Sequence, residues 1–125
     1  MSGVASLVRR YVERYNSNDV DGMLDCCSDD IVYESVTNPH GAMRLKGKNE
    51  VREAIEATTQ AFRERRHEVL AMIVDGERAA AETVFSGVAT TPIGADVRLG
   101  EHVSIRSATI FEAAEGRLAR ICDYG

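Results

Sequence analysis

Apolar residues recur along this chain with two different spacings, and the change between them divides it in half. Val4, Leu7, Val8, Tyr11, Val12 and Tyr15 follow i, i+3, i+4, i+7 spacing, which predicts a first helix over about 3 to 16. Asn16-Ser17-Asn18 interrupts it, and Asn18 or Asp19 offers a side-chain oxygen to cap a shorter second helix. Val20, Met23, Leu24 and Cys27 form the buried stripe of that helix, and Ser28-Asp29-Asp30 ends it. Ile31 to Val36 reads as a strand. A loop containing Asn38-Pro39-His40-Gly41 follows, with Gly47 before a third helix marked by Val51, Ala54, Ile55, Thr58 and Phe62. Glu50 and Glu53 suit its first turn, where carboxylates meet the positive end of the dipole.

From His67 onward the chain is β. Asp75-Gly76 predicts a hairpin turn between runs of about 67–74 and 78–91. Thr91-Pro92-Ile93-Gly94-Ala95-Asp96 makes the next connection. A long strand follows to about 112, and Glu115-Gly116 turns the chain into a final strand. Helices first and an antiparallel meander last define the α+β class. Three helices on one face of a strongly curved, mostly antiparallel sheet leave a cone-shaped pocket between the layers. The length of 125 residues fits one domain spanning the whole chain.

The final strand, Arg117 to Gly125, carries a carboxylate where an apolar residue is expected. Strand side chains alternate, so Ile121 and Asp123 share one face while Cys122 and Tyr124 take the other. If Ile121 points inward, Asp123 does too. An inward carboxylate must be paired, hydrogen-bonded or neutralised, and a pocket holding one is a candidate for proton transfer. Two plainer readings stand beside it: an edge-strand carboxylate paired with Arg117 or Arg120, or one that is simply solvated.

Composition narrows the partners. A net charge of -5 argues against nucleic acid or an anionic membrane surface. Arg63, Arg65 and Arg66 form the one basic cluster, read as completing the C-terminus of the third helix, with a phosphate site as the lesser alternative. Cys26, Cys27 and Cys122 show no metal-type or CxxC spacing, and Cys27 reads as core. An odd cysteine count without a signal peptide fits a reducing cytosol, and no apolar run approaches the roughly 20 residues of a membrane span. The expectation is a soluble, cytoplasmic protein. His40, His67 and His102 are scattered, and there is no P-loop, dinucleotide fingerprint or nucleophile elbow, so neither metal nor cofactor is expected.

The element order resembles the NTF2-like superfamily, in particular its SnoaL-like and ketosteroid-isomerase-like members, over nearly the whole chain. The resemblance is carried by Arg10-Tyr11-Val12 with Asn16 through Gly22, and by Ser28-Asp29-Asp30 before a strand. Leu45-Lys46-Gly47-Lys48 before the third helix and Gly116-Arg117-Leu118 leading to Asp123-Tyr124 complete it. That fold hosts enzymes, binding proteins and transport factors, so function rests on the site.

Against the steroid isomerases, Tyr11 matches the tyrosine that donates to the developing enolate oxygen, a role in which preorganised donors contribute strongly. A core tyrosine bonded to backbone is the alternative. The family's general-base aspartate falls on Ser35, which cannot take a proton from carbon without an activating base. Glu34 faces the opposite way, and the second oxyanion donor falls near Ser107. Steroid isomerisation by that mechanism is disfavoured. Against limonene-type epoxide hydrolases, Tyr33, Ser35 and Asp123 match the residues that hold the attacking water. The Arg and Asp that protonate the leaving oxygen fall near Phe85 and Gly87, so the acid half is missing. SnoaL-type polyketide cyclases require least: one inward aspartate working as acid and base in an apolar cavity, the place of Asp123. Burial raises the pKa of a carboxylic acid, and a base poised nearer neutrality transfers protons more efficiently.

Phe85, Ile105, Ser107 and Thr109 are expected to face the cavity, with Tyr15, Phe62 and Ile121 completing the substrate-binding set. His102, Ser104 and Arg106 are expected to face away, His40 to lie near the entrance, and His67 to open a strand. Relatives continue beyond the position of Gly125; here its carboxylate would lie near Asp123, or the cavity would stay open. The reading is a homodimer through the outer sheet face, performing cofactor-free cyclisation, isomerisation or water addition on an apolar polyketide-, terpenoid- or steroid-like substrate. A non-catalytic binding protein of the same fold is the rival.

Overall fold

The computed structural model describes residues 3–37, 41–93 and 97–125. Helix α1 (Val4–Asn16) buries the predicted stripe of Val4, Leu7, Val8, Tyr11 and Tyr15. Helix α2 (Val20–Asp25) is capped by Asp19, whose Oδ1 accepts from the Gly22 amide at 2.9 Å. A Cβ at Gly22 would collide with the Asp19 carboxylate, so the cap itself requires glycine there. The strand β1 (Cys27–Val36) follows at once. Ser28-Asp29-Asp30 therefore lies in β1 rather than ending the helix, because pairing with the last strand begins already at Cys27 opposite Leu118.

Residues read as loop before Gly47 form a short strand, β2 (Ala42–Lys46), antiparallel to β1. Its edge position, its five residues and its two charges, Arg44 and Lys46, hid it, since edge strands are short and charged. Helix α3 (Lys48–Ala61) stops one residue before Phe62, which opens β3 (Phe62–Asp75). The expected helical place of Phe62 and of the arginines behind it is thereby corrected. The meander continues through β4 (Arg78–Ala89), β5 (His102–Ala114) and β6 (Arg117–Tyr124). Both two-residue hairpin turns fall where Asp75-Gly76 and Glu115-Gly116 placed them, with positive φ at Gly76 (61°), Glu115 (54°) and Gly116 (78°), as tight hairpins need.

The strands form one mixed sheet in the order β2-β1-β6-β5-β4-β3, with β1 and β6 parallel and the other pairs antiparallel. The three helices pack on one face of this curled sheet, giving the α+β cone expected. The core joins α1 and α2 to the sheet through Val8, Met23, Ile31, Leu118 and Ile121. Met23 and Ile31 are both 0% exposed, and truncation of such a side chain to alanine costs about 2–5 kcal/mol. Cys27 belongs to this core. Among the described residues, no helix is long and apolar enough to cross a membrane.

Candidate functional site

Between the helices and the sheet lies a cavity of about 390 Å³, within the size range of small-molecule sites. Alternation in β6 does what its spacing implied. Ile121 joins the core while Asp123 lines the cavity. Strand β6 is interior to the sheet, between β1 and β5, so the edge-strand reading of Asp123 is wrong. Arg120 is engaged elsewhere, with Glu34 at 3.0 Å and Glu112 at 2.7 Å on the outer face.

Register brings Asp123 its neighbours. Ser35 of β1 and Thr109 of β5 are its lateral partners in the two adjoining strands. The Thr109 hydroxyl donates to Asp123 Oδ1 at 2.7 Å, and the Tyr33 hydroxyl donates to Oδ2. Among the described residues no Lys, Arg or His forms an ion pair with this carboxylate. Burial, and then the negative charge of Asp123, push the Tyr33 phenol well above its ordinary value. Tyr33 is therefore a hydrogen-bond donor at any physiological pH and never a base. Ser35 lines the cavity beside Asp123.

Tyr11 lines the same cavity from α1, edge-on to Phe111 with ring centroids 6.5 Å apart. Burial is the main cause holding its hydroxyl protonated, with Cys27 and Asp123 adding to it. The other expected wall residues, Tyr15, Phe62, Phe85, Ile105, Ser107 and Thr109, all contribute to the cavity surface. His102, Ser104 and Arg106 are exposed. His40 lies outside the described residues.

Among the cavity residues that the sequence did not point to, two are ionisable. Arg65 is 5% exposed and lines the cavity, where a helix-terminal role had been expected. The cause is a bulge: pairing of β3 with β4 shifts register between Arg63 and Arg66, and Glu64 takes a φ of 54°. A bulge of this kind re-aims the side chains that follow it. Arg65 stacks on Tyr15, with its guanidinium carbon 3.9 Å from the ring centroid, and its Nη2 donates to Asn18 Oδ1 at 3.2 Å. His67, two residues on, lines the cavity between Tyr15 and Phe85, at ring-centroid distances of 4.9 and 6.0 Å. Burial lowers its pKa, against the opposing pull of Asp123, so it is a neutral imidazole. The Asn16 side chain fixes this stretch, donating to the His67 carbonyl at 2.9 Å and accepting from its amide at 2.7 Å. The available signal was the two-residue spacing of Arg65 and His67, which places both on one face once the strand is known to start before them.

Among the described residues, no three His, Cys, Asp or Glu side chains converge as a metal ion requires. The arrangement presents a carboxylate in a mostly apolar enclosure, held by neutral donors, with further hydroxyls around it. Such a group can take a proton from a bound molecule and return it.

The fold has many solved counterparts. An NTF2-like protein of unknown function from Burkholderia pseudomallei superposes with a TM-score of 0.81 at 20% identity, over 98% of this chain and 90% of that one. A proposed polyketide cyclase from Xanthomonas campestris pv. campestris gives 0.78 at 24% identity, over 98% and 89%. An LEH-like epoxide hydrolase from M. tuberculosis gives 0.76 at 18%, over 97% and 76%. No curated protein matches the sequence. The model of the SnoaL-like domain matches residues 8–121. That span runs from Val8 within α1 to Ile121 within β6, takes in most of the cavity walls and ends two residues before Asp123, and on it the chain belongs to the SnoaL-like domain family.

Proposed function

We propose that this chain is a cofactor-free acid/base enzyme acting on an apolar polyketide-, terpenoid- or steroid-like molecule bound in the cavity, with Asp123 as general acid and base. The observation that carries the reading is the carboxylate of Asp123 at the cavity wall, hydrogen-bonded by Tyr33 and Thr109 and paired with no cation among the described residues. An ion pair would hold it as a spectator; neutral donors orient it and leave its charge for the substrate.

In a cyclisation, Asp123 removes a proton from a carbon flanked by two carbonyls, and the electron pair moves onto a carbonyl oxygen as an enolate. Tyr11 stabilises that oxygen by donating to it. The enolate carbon attacks a second carbonyl of the same molecule, forming the ring bond, and the proton on Asp123 passes to the resulting alkoxide. Atoms and electrons balance with no co-reactant. Ser35 and Tyr33 serve the same centre by orienting substrate, or water where water is the nucleophile. The polyketide cyclase and epoxide hydrolase neighbours share the fold and make either chemistry a reasonable use of it. The epoxide reading lacks its acid pair, since Phe85 and Gly87 stand at those positions.

The test is hydrogen–deuterium exchange at the activated carbon of 2-acetyl-1-tetralone, followed by NMR, with affinity measured in parallel. The wild type accelerates exchange, and Asp123→Asn loses about 10²–10⁴-fold of it while binding the diketone as before. Equal exchange in both proteins removes Asp123 from the chemistry. Equal binding with no acceleration in either favours the receptor reading.

A further inference from the structure

We infer that the cavity recognises a ligand carrying an anionic oxygen group, with Arg65 as its binding residue. The inference deepens the functional reading above by naming a substrate class, and it rests on that reading only for what happens after binding.

Arg65 is a buried cation with no anion paired to it among the described residues. Its Nε and Nη1 are sealed from solvent and have no hydrogen-bond partner among the described residues. Its Nη2 donates to Asn18 Oδ1, a neutral amide oxygen. Among the described residues no carboxylate forms an ion pair with it. A guanidinium cannot shed its charge, and leaving such a group buried and unpaired is strongly unfavourable. Stacking on Tyr15 offsets part of that cost through the ring's negative face. Nε and Nη1 stay unspent, and a ligand oxygen reaches them as the Arg65 side chain turns toward the cavity that it lines. Those donors match a carboxylate or enolate in both charge and fork geometry.

Asp123 does not fill this role. Three strand steps separate β6 from β3 in the sheet, so the two charges stand on different walls of the cavity, and Asp123 is already bonded to Tyr33 and Thr109. A ligand anion held at β3 directs its apolar body across the cavity toward β6, where the proposed base stands. His67, neutral and beside Arg65 on the same strand, adds a hydrogen-bonding group without competing charge.

The experiment is calorimetric titration at neutral pH with 2-naphthoate and with 2-naphthamide, its uncharged counterpart of the same shape. The wild type is expected to bind the carboxylate about tenfold or more tightly than the amide, although Asp123 in the same cavity disfavours anions. Arg65→Met is expected to lose the preference while keeping its affinity for the amide, and Arg65→Lys to keep part of it. If Arg65→Met does not fold, the wild-type preference and the Arg65→Lys value decide. Equal or absent binding of the two probes by the wild type overturns the inference, as does a preference that survives in folded Arg65→Met. Asp123→Asn is expected to retain the preference, so this inference and the catalytic role of Asp123 fail on different measurements.

Discussion

Strands β1 and β6 carry carboxylates on both faces of one sheet, and the two faces treat them differently. On the outer face Glu34 accepts from Arg120 at 3.0 Å, and Glu112 accepts from the same guanidinium at 2.7 Å. On the inner face Asp123 is held by the hydroxyls of Thr109 and Tyr33. The outer carboxylates meet a full opposite charge in a setting about one-third open to solvent, with Glu34 and Glu112 side chains 26% and 34% exposed. Their charge is cancelled and their contribution screened. Among the described residues the inner carboxylate meets hydroxyl dipoles and no cation in an ion pair. Neutral donors satisfy its oxygens yet leave its charge uncancelled, which is the condition for exchanging a proton with a guest. One fold thus keeps charge quiet on one side of a strand and available on the other.

The largest effect expected from this contrast is catalytic. Asp123→Asn should lower deuterium exchange by about 10²–10⁴-fold, while Glu34→Gln should leave it within about twofold. A comparable loss from Glu34→Gln would erase the distinction between the faces.

The next effect concerns charge in the interior. Burial raises the Cys27 thiol pKa from 9.0 to about 12, so the unfolded chain releases this proton before the folded one. Stability is then complete below pH 9 and falls as pH rises toward 12, by at most about 1.4 kcal/mol per pH unit. The buried phenols of Tyr11 and Tyr33, also raised, steepen the fall above pH 10. Denaturant titrations at stepped alkaline pH should show it, and Cys27→Ala should flatten the portion that begins near pH 9.

Tyr33→Phe removes one of the two donors to Asp123 and should cost about 1.5–3 kcal/mol, the range for a hydrogen bond to a charged group. Chemical denaturation measures this directly, and a loss under about 0.5 kcal/mol would mean that the hydroxyl does little to hold the carboxylate.

A milder change belongs to His67. Its pKa is lowered in the fold, so below about pH 6.5 the unfolded chain takes up a proton that the folded chain refuses. Stability is fully present above that value and declines as pH falls toward the folded pKa. His67→Gln should remove this acid-side slope in melting experiments. Smallest of all, Glu34→Gln should shift stability by under about 1 kcal/mol, and the shift should shrink in high salt; a larger, salt-insensitive loss would place the outer pair among the fold's main supports.

Local spacing was enough for a good part of this molecule. The stripe from Val4 to Tyr15, the hairpin turns at Asp75-Gly76 and Glu115-Gly116, and the shared face of Ile121 and Asp123 each depend on residues within a few positions of one another. Helical and strand periodicity act over that range, and so all are readable in the linear chain. The inward aim of Arg65 depends on a bulge at Glu64, where the pairing of β3 with β4 shifts register while the strands stay paired on either side. Strand β2 exists only because β1 offers it an edge. The hydroxyls on Asp123 come from residues 90 and 14 positions away. Bulges, edge pairing and convergence of distant side chains are decided by contacts across the sheet, whose energy no window of neighbouring residues contains. Periodicity set which way Asp123 points, and folding set what it meets there.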